Sequence, residues 1–190
     1  MSRRPLPSRR SVVAAGAAAL TASALPAAAF SASRPAPMWE ITEWLNGDGG
    51  NVDTLKGKVI IVDFFQLWCP GCNRFSGPLM QHWQEKYAEH IKGGRLHMVK
   101  IHTVFEGHSY QNPTKLKGYV AEKTITMPVG IDRHEAGQRV PVTMRRYRTS
   151  GTPEMVIISP DGMIVFQKFG GFDHKPVEAM FVELLKKQTA

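Results

Sequence analysis

Two cysteines, Cys69 and Cys72, are the only cysteines of the 190-residue chain, and Pro70 and Gly71 separate them. They follow a near-continuous apolar run at 58–65 and precede a segment with helical spacing. Free N–H groups and the helix dipole at a helix N-terminus stabilise a thiolate and lower its pKa. We therefore expect Cys69 to be an exposed nucleophile, and Cys72, one turn inside, to be the shielded thiol that resolves a mixed disulfide.

Two other roles are open for this cysteine pair. A structural disulfide would close a very short loop, which constrains the unfolded chain little and so adds little stability. Half of a metal site would need two more ligands, and the spacings of His97 to His102 and of His102 to His108 are formally permitted. Both histidine pairs lie on or beside a predicted strand, so thiol–disulfide exchange without a metal is the stronger prediction.

The order of predicted elements is typical of an α/β domain. The run at 58–65 is rich in β-branched residues and predicts a buried central strand. Residues 95–104 alternate between two faces and predict a second interior strand. The remaining expected elements are helices over 69–90, 113–123, 140–148 and 176–187, strands over 127–131, 154–159 and 163–169, and a hairpin turn at Pro160-Asp161-Gly162. Together they predict helices on both faces of a mixed sheet.

One acid, Asp63, interrupts the apolar strand six residues before Cys69. Burial disfavours the ionised form of a carboxyl group. An acid behind Cys72 can also accept and return the proton of the resolving thiol. We expect this proton-relay role for Asp63, and the alternative is a hydrogen-bonded structural acid.

The segment V-D-F-F-Q-L-W-C-P-G-C, residues 62–72, resembles the active-site strand and helix start of the thioredoxin superfamily. Thr152-Pro153 stands before the strand at 154–159, where this family carries a cis-proline. Over 38–190 the resemblance implies a thioredoxin-like three-layer α/β/α fold with a central mixed sheet. The long insert, 103–150, lies between the second interior strand and the cis-Pro loop and points to the exported TlpA-type branch.

The same resemblance implies a set of substrate-binding residues, namely Trp68, Pro70, Gly71, Thr152 and Pro153. Trp68 would cover the dithiol with an apolar surface, and core packing is its alternative role. A cis Pro153 would lie beside the disulfide and block metal capture by the thiols. The backbone of Thr152 would pair with an extended substrate peptide. Pro70 suits the first helical position, whereas Gly71 should leave the turn between the sulfurs loose.

Several residues depart from the family pattern. Pro78 falls six residues after Cys72, one later than the family's helix kink, which predicts a bulge in the first turn. The acid that often follows the second cysteine is absent. Glu106, past the second interior strand, is an alternative acid, although a solvated loop residue is the more ordinary interpretation. Four arginines form a basic cluster, namely Arg139, Arg145, Arg146 and Arg148. Such a cluster is more typical of a solvated helix face than of a pocket that binds anions.

The first 29 residues are expected to be an export signal. Four arginines and no acid precede the uncharged, Ala-rich stretch at 11–29, and Ser8-Arg9-Arg10-Ser11 resembles a twin-arginine signal. A retained membrane anchor is the alternative. Residues 30–37 are expected to form a flexible or extended linker before a periplasmic domain at 38–190.

Charge and composition limit the function further. The net charge of +8 includes four arginines of the signal, so the rest is mildly basic and no nucleic-acid partner is expected. We predict an exported thiol:disulfide oxidoreductase with a soluble mature domain and no cofactor beyond the redox-active Cys69–Cys72 disulfide. Its expected partners are protein or small-molecule disulfides and a membrane-bound electron donor or acceptor. A thiol-dependent peroxide reductase, or a copper- or haem-handling protein using the dithiol as ligands, are alternatives, although the peroxiredoxin motif P-x-x-x-T-x-x-C is absent.

Overall fold

The computed structural model describes residues 33–188, so the predicted export signal at 1–29 lies outside the described residues. Its strands form one mixed sheet in the order β1-β7-β6-β3-β4-β5-β2. The strands are β1 (Arg34–Pro35), β2 (Ile41–Leu45), β3 (Val59–Phe65), β4 (Leu96–His102), β5 (Val129–Asp132), β6 (Glu154–Ile158) and β7 (Met163–Phe169). The helices are α1 (Gly77–Lys86), α2 (Ala88–Lys92), α3 (Pro113–Glu122), α4 (Val142–Tyr147) and α5 (His174–Lys187).

The strand β3 lies in the middle of the sheet, and all of its residues are buried. It pairs in parallel with β4 and antiparallel with β6. Because successive side chains point to opposite faces, Val59 and Ile61 join the core formed with α1, α3 and α5. Ile60 and Val62 join a second core that includes Tyr147 of α4. The predicted three-layer α/β/α fold is confirmed.

The insert contributes a further strand to the sheet. The helix α3 connects β4 to β5, which pairs in parallel with β4, and β2 lies antiparallel on the far side of β5. Asn112 caps α3 by accepting a hydrogen bond from the Lys115 N–H, and Pro113 is in the first turn, as predicted. The strand β2 was not predicted, because an isolated edge strand carries little periodic signal before its partner is known.

The predicted helix at 69–90 is not continuous. It contains a π-helical turn at Cys72–Ser76, in which the Gly77 N–H donates to the Cys72 carbonyl five residues back. This turn is the bulge predicted from the late position of Pro78, because it accommodates one extra residue before the regular helix α1 begins. The helix breaks again at Tyr87, whose φ of −110° and ψ of 23° separate α1 from α2.

Part of the predicted linker belongs to the sheet. Arg34 and Pro35 form the edge strand β1, which pairs with Ile164 and Met163 of β7. The Arg34 guanidinium donates to the Tyr147 carbonyl at 2.9 Å. Of the two alternatives predicted for the linker, flexible or extended, this dipeptide is extended, because backbone pairing and this hydrogen bond hold it on β7. Within residues 33–188, no helix is long and apolar enough to cross a bilayer.

Candidate active site

The dithiol lies where β3 turns into the π-helical segment. Both thiols are free, and Pro70 is the first helical residue, as predicted. Cys69 is 7% exposed and Cys72 is 1% exposed. The expectation of an exposed Cys69 is therefore wrong in degree, because neighbouring residues cover most of it and leave it in the wall of a groove.

Hydrogen bonds divide the two thiols into different protonation states. The sulfur of Cys69 accepts from the Cys72 N–H at 3.2 Å and, when protonated, donates to the Thr152 carbonyl oxygen at 3.3 Å. The hydrogen bond from the Cys72 thiol, with help from backbone N–H groups, lowers the pKa of Cys69 to about 6 against the opposing effect of burial. That shared thiol hydrogen bond, then burial and the charge of Asp63, raise the pKa of Cys72. Near neutral pH, Cys69 is the thiolate and Cys72 is the thiol.

The Thr152–Pro153 peptide bond is cis, as the family resemblance implied. A Cβ atom on Gly71 would lie 2.8 Å from Cδ of Pro153. The backbone of Gly71 is helical, with φ of −65° and ψ of −37°, so no conformational freedom is needed there. The prediction that Gly71 loosens the turn is corrected: its missing side chain lets Pro153 pack directly on the dithiol turn.

Asp63 is fully buried and forms an ion pair with Lys100, which is 2% exposed. The hydroxyl of Ser76 donates to Oδ2 of Asp63 at 3.1 Å. Within residues 33–188, Oδ1 of Asp63 has no hydrogen-bond partner. The Lys100 ammonium is thus the counter-ion of the buried Asp63 carboxylate. Sequence reasoning did not identify Lys100 as part of the site, although a lysine inside a buried strand is a usable signal.

A second set of hydrogen bonds holds the turn that carries Cys69. The Asn73 amide donates to the carbonyl oxygens of Leu67 and Cys69, both at 2.9 Å. The hydroxyl of Tyr119 donates in turn to Oδ1 of Asn73 at 3.1 Å, and the Tyr119 ring stacks on Phe65 at 5.8 Å between centroids. Tyr119 belongs to α3, so a helix of the insert holds the dithiol turn. The sequence did not reveal this connection.

A small cavity of about 80 Å³ lies behind the dithiol. Its lining includes Cys72, Lys100 and Tyr119. The same cavity therefore borders both Cys72 and the Lys100 side of the buried ion pair.

A groove of about 340 Å³ runs past Cys69 on the front of the molecule, and its lining includes Pro70, Thr152 and Glu106. Trp68 is 46% exposed, stacks on Tyr110 at 5.9 Å between centroids, and lines this groove. Core packing is therefore not its role. Of the predicted substrate-binding residues, Gly71 and Pro153 meet at the dithiol turn, and the other three line the groove.

The remaining candidate clusters have structural partners. Arg145 pairs with Glu135, and Arg146 pairs with Glu40 at 2.7 Å, so this part of the basic cluster is an ion-paired surface. His97 and His102 have opposite parity on β4 and therefore point to opposite faces. Among residues 33–188, no group of three or more His, Cys, Asp or Glu side chains is placed to hold a metal ion.

No family model matches the chain. Two solved structures are nonetheless similar along most of their length. A crystal structure of a thiol-disulfide isomerase from Corynebacterium glutamicum is 35% identical, with 79% of this chain and 96% of that chain covered and a TM-score of 0.70. A crystal structure of a thioredoxin-like superfamily protein is 33% identical, with coverages of 80% and 96% and a TM-score of 0.74.

Two named bacterial proteins, ResA and DipZ, are also similar to this chain in sequence. Thiol-disulfide oxidoreductase ResA of Halalkalibacterium halodurans is 26% identical over 149 residues, which cover 78% of this chain and 74% of ResA. Protein DipZ of Mycobacterium tuberculosis is 28% identical over 148 residues, and the match covers 76% of this chain but only 20% of the much longer DipZ. The chain belongs to the thioredoxin-like superfamily, and the predicted class, a thiol-disulfide oxidoreductase of thioredoxin-like type, is confirmed at the level of the family.

Proposed function

We propose that this chain is an exported thiol:disulfide oxidoreductase that exchanges disulfides through Cys69 and Cys72. The observation that carries the proposal is the difference in pKa between the two thiols. The pKa of Cys69 is lowered to about 6, whereas the pKa of Cys72 is raised. Thiol–disulfide exchange needs one thiolate to attack and one thiol held back to resolve. The contact of the Cys69 sulfur with the Thr152 carbonyl oxygen at 3.3 Å, in the wall of an open groove, supports the same role.

The reaction proceeds in two exchanges. The Cys69 thiolate attacks one sulfur of a substrate disulfide, the substrate S–S bond breaks, and the second substrate sulfur leaves as a thiolate that takes a proton. Cys72 then loses its proton and attacks the Cys69 sulfur, so the Cys69–Cys72 disulfide forms and the first substrate sulfur leaves. The substrate gains two electrons and two protons, and the dithiol is oxidised.

Asp63 is the proposed acceptor of the Cys72 proton. The charge of Asp63 is one of the causes that raise the pKa of Cys72, after the thiol hydrogen bond and burial, and this interaction supports the proposal. Its Oδ2 atom is occupied by Lys100 and Ser76, whereas Oδ1 has no partner within residues 33–188. Oδ1 can therefore take the proton when Cys72 becomes the attacking thiolate.

We place this reaction outside the cytoplasm because of the signal-like sequence at 1–29. Since the periplasm holds no reducing thiol buffer, a membrane-bound dithiol donor would regenerate the reduced dithiol after each turnover. If the protein instead donates disulfides, a membrane-bound oxidant would regenerate the Cys69–Cys72 disulfide. Fractionation of cells producing the chain, with mass spectrometry of its N-terminus, tests this. Recovery of an uncleaved chain in the cytoplasm would contradict export.

The activity is tested by the reduction of an insulin disulfide by the pre-reduced full chain. We expect turnover that is lost in Cys69→Ser, and a trapped mixed disulfide in Cys72→Ser. Parallel measurements with hydrogen peroxide and with Cu(I) address the two alternatives. Peroxide consumption without disulfide reduction would indicate a peroxide reductase, and stoichiometric Cu(I) capture with neither activity would indicate a metal-handling protein.

A further inference from the structure

Exposed aromatic rings are concentrated around the nucleophile. Four large hydrophobic residues are exposed among residues 33–188, and they are Met38, Trp68, Tyr110 and Phe169. Trp68 and Phe169 line the groove beside Cys69, and Tyr110 stacks on Trp68. Exposed apolar residues that cluster in this way mark an interaction surface, because isolated ones are common but clustered ones are costly in water.

Close backbone contacts hold both groove rings in place. A Cβ on Gly151 would lie 2.8 Å from Cε2 of Phe169, so this ring packs on the backbone just before the cis-Pro loop. A Cβ on Gly107 would lie 2.0 Å from Cη2 of Trp68, and the Trp68 indole N–H donates to Gln66 at 3.2 Å. The rings are therefore pre-organised, and a ligand that packs on them does not have to pay for ordering them.

The groove also has a distinct charge. Among the residues that line it, Glu106 and the Cys69 thiolate carry negative charge, and no lysine or arginine lines it. The Glu106 side chain is exposed. A carboxylate beside apolar rings favours a cationic ligand group and repels an anionic one.

We propose that the substrates are polypeptide disulfides whose reacting cysteine is flanked by an apolar side chain and a basic side chain, in preference to small anionic disulfides. This inference rests on the proposed function and deepens it. The apolar side chain packs on Phe169 and Trp68, and the basic side chain lies near Glu106, while the substrate sulfur reaches Cys69. Two electrons pass from the Cys69–Cys72 dithiol to the substrate disulfide, as in the exchanges described above.

The test uses single-turnover reduction of four matched peptides by the pre-reduced full chain. Each peptide carries one cysteine in a disulfide with the same reporter thiol, with Leu or Ser on one side and Lys or Glu on the other. We expect the Leu/Lys peptide to react about fifteenfold faster than the Ser/Glu peptide, which corresponds to partial burial of one apolar side chain and one exposed charge pair. Glutathione disulfide should react more slowly than the Leu/Lys peptide.

Two variants separate the two contributions. Phe169→Ser should reduce the preference for Leu over Ser about fivefold, and Glu106→Gln should reduce the preference for Lys over Glu about threefold and weaken its salt dependence. Met38→Ser removes an exposed hydrophobic residue outside the groove, and Glu122→Gln an exposed acid outside it. Both controls should leave all four rates unchanged.

The outcomes distinguish this inference from the proposed function. Equal rates for all four peptides, or equal effects of Phe169→Ser and Met38→Ser, would overturn the substrate preference while leaving disulfide exchange intact. If no peptide is reduced although Cys69 still reacts with iodoacetamide, both the proposed function and the preference are overturned.

Discussion

Asp63 and Lys100 are Cα partners in the parallel register of β3 and β4, and their charged groups meet in the interior on the face that also holds Cys72. The Lys100 ammonium also lies 4.6 Å from the centre of the Phe65 ring. A buried ion pair contributes little net stability, but removing one partner leaves an uncompensated charge. The pair therefore keeps an acid beside the resolving thiol that would be unfavourable there alone.

Removal of the Lys100 charge should destabilise the fold strongly. Lys100→Met leaves Asp63 buried without its counter-ion, and we expect a loss of about 3–5 kcal/mol in the free energy of unfolding, measured with urea. The double variant Lys100→Met/Asp63→Asn should recover most of this loss. A loss below about 1 kcal/mol in the single variant would show that Asp63 is not charged in the fold.

Asp63→Asn should slow the second exchange more than the first. The amide cannot accept the Cys72 proton, so the mixed disulfide on Cys69 should accumulate near neutral pH, as measured by acid quenching and mass spectrometry. Asp53→Asn, at an exposed acid, is the matched control. An unchanged lifetime of the mixed disulfide in Asp63→Asn would remove the relay role.

The pH dependence of Cys69 follows from its hydrogen bonds. Alkylation by iodoacetamide should rise with a midpoint near pH 6, because the pKa of Cys69 is lowered to about 6. Cys72→Ala removes the largest cause, the Cys72 thiol hydrogen bond, and should move the midpoint up towards the ordinary value of 9.0. An unshifted midpoint would mean that other groups stabilise the thiolate.

The same pKa makes the stability of the reduced chain depend on pH. A group whose pKa is lower in the folded chain than in the unfolded chain stabilises the fold when it is ionised. This stabilisation is complete at a pH above the pKa of the unfolded state, and it is lost as the pH falls through the pKa of the folded state. The stability of the reduced chain relative to Cys69→Ala should therefore grow from pH 6 to pH 9. Urea midpoints that run parallel over this range would contradict the assignment.

Loss of one hydroxyl should show that the insert supports the dithiol turn. Tyr119→Phe removes the hydrogen bond to Asn73, so we expect a loss of about 1 kcal/mol in stability together with slower disulfide exchange. Tyr87→Phe removes a comparable hydrogen bond, to Glu178, in another part of the fold. This control should lose similar stability with an unchanged exchange rate, and equal rates in both variants would contradict the link.

A methyl group at Gly71 should separate the cis-Pro loop from the dithiol. In Gly71→Ala the new Cβ would meet Pro153, so we expect about 1–3 kcal/mol of destabilisation and slower disulfide exchange. Gly118→Ala is the matched control, because Gly118 lies within α3 and its Cβ would meet nothing within 4 Å. It should stabilise the chain by up to about 1 kcal/mol. Equal exchange rates in both variants would show that Pro153 tolerates displacement.

Local sequence patterns were sufficient to predict the elements that depend only on residues close together in the chain. The β-branched run of β3 predicts a buried strand without knowledge of its neighbours, and a cysteine pair at the start of a helix predicts two thiols of different reactivity. Asn112 and Pro113 likewise begin α3 through hydrogen bonds and φ angles within a few residues. These features depend on neighbours in the chain, so the amino-acid order alone predicts them.

Contacts between distant segments were decided by the tertiary structure. Lys100 meets Asp63 because β4 pairs with β3 in one register, and a shift of one residue would turn Lys100 to the other face. Gly71 is required by the approach of Pro153, and Tyr119 reaches Asn73 from the insert. Sequence periodicity reports which face of an element is buried, but not which side chain of another element it meets there. The charges and hydrogen bonds that set the reactivity of the dithiol therefore depend on how the strands and the insert pack.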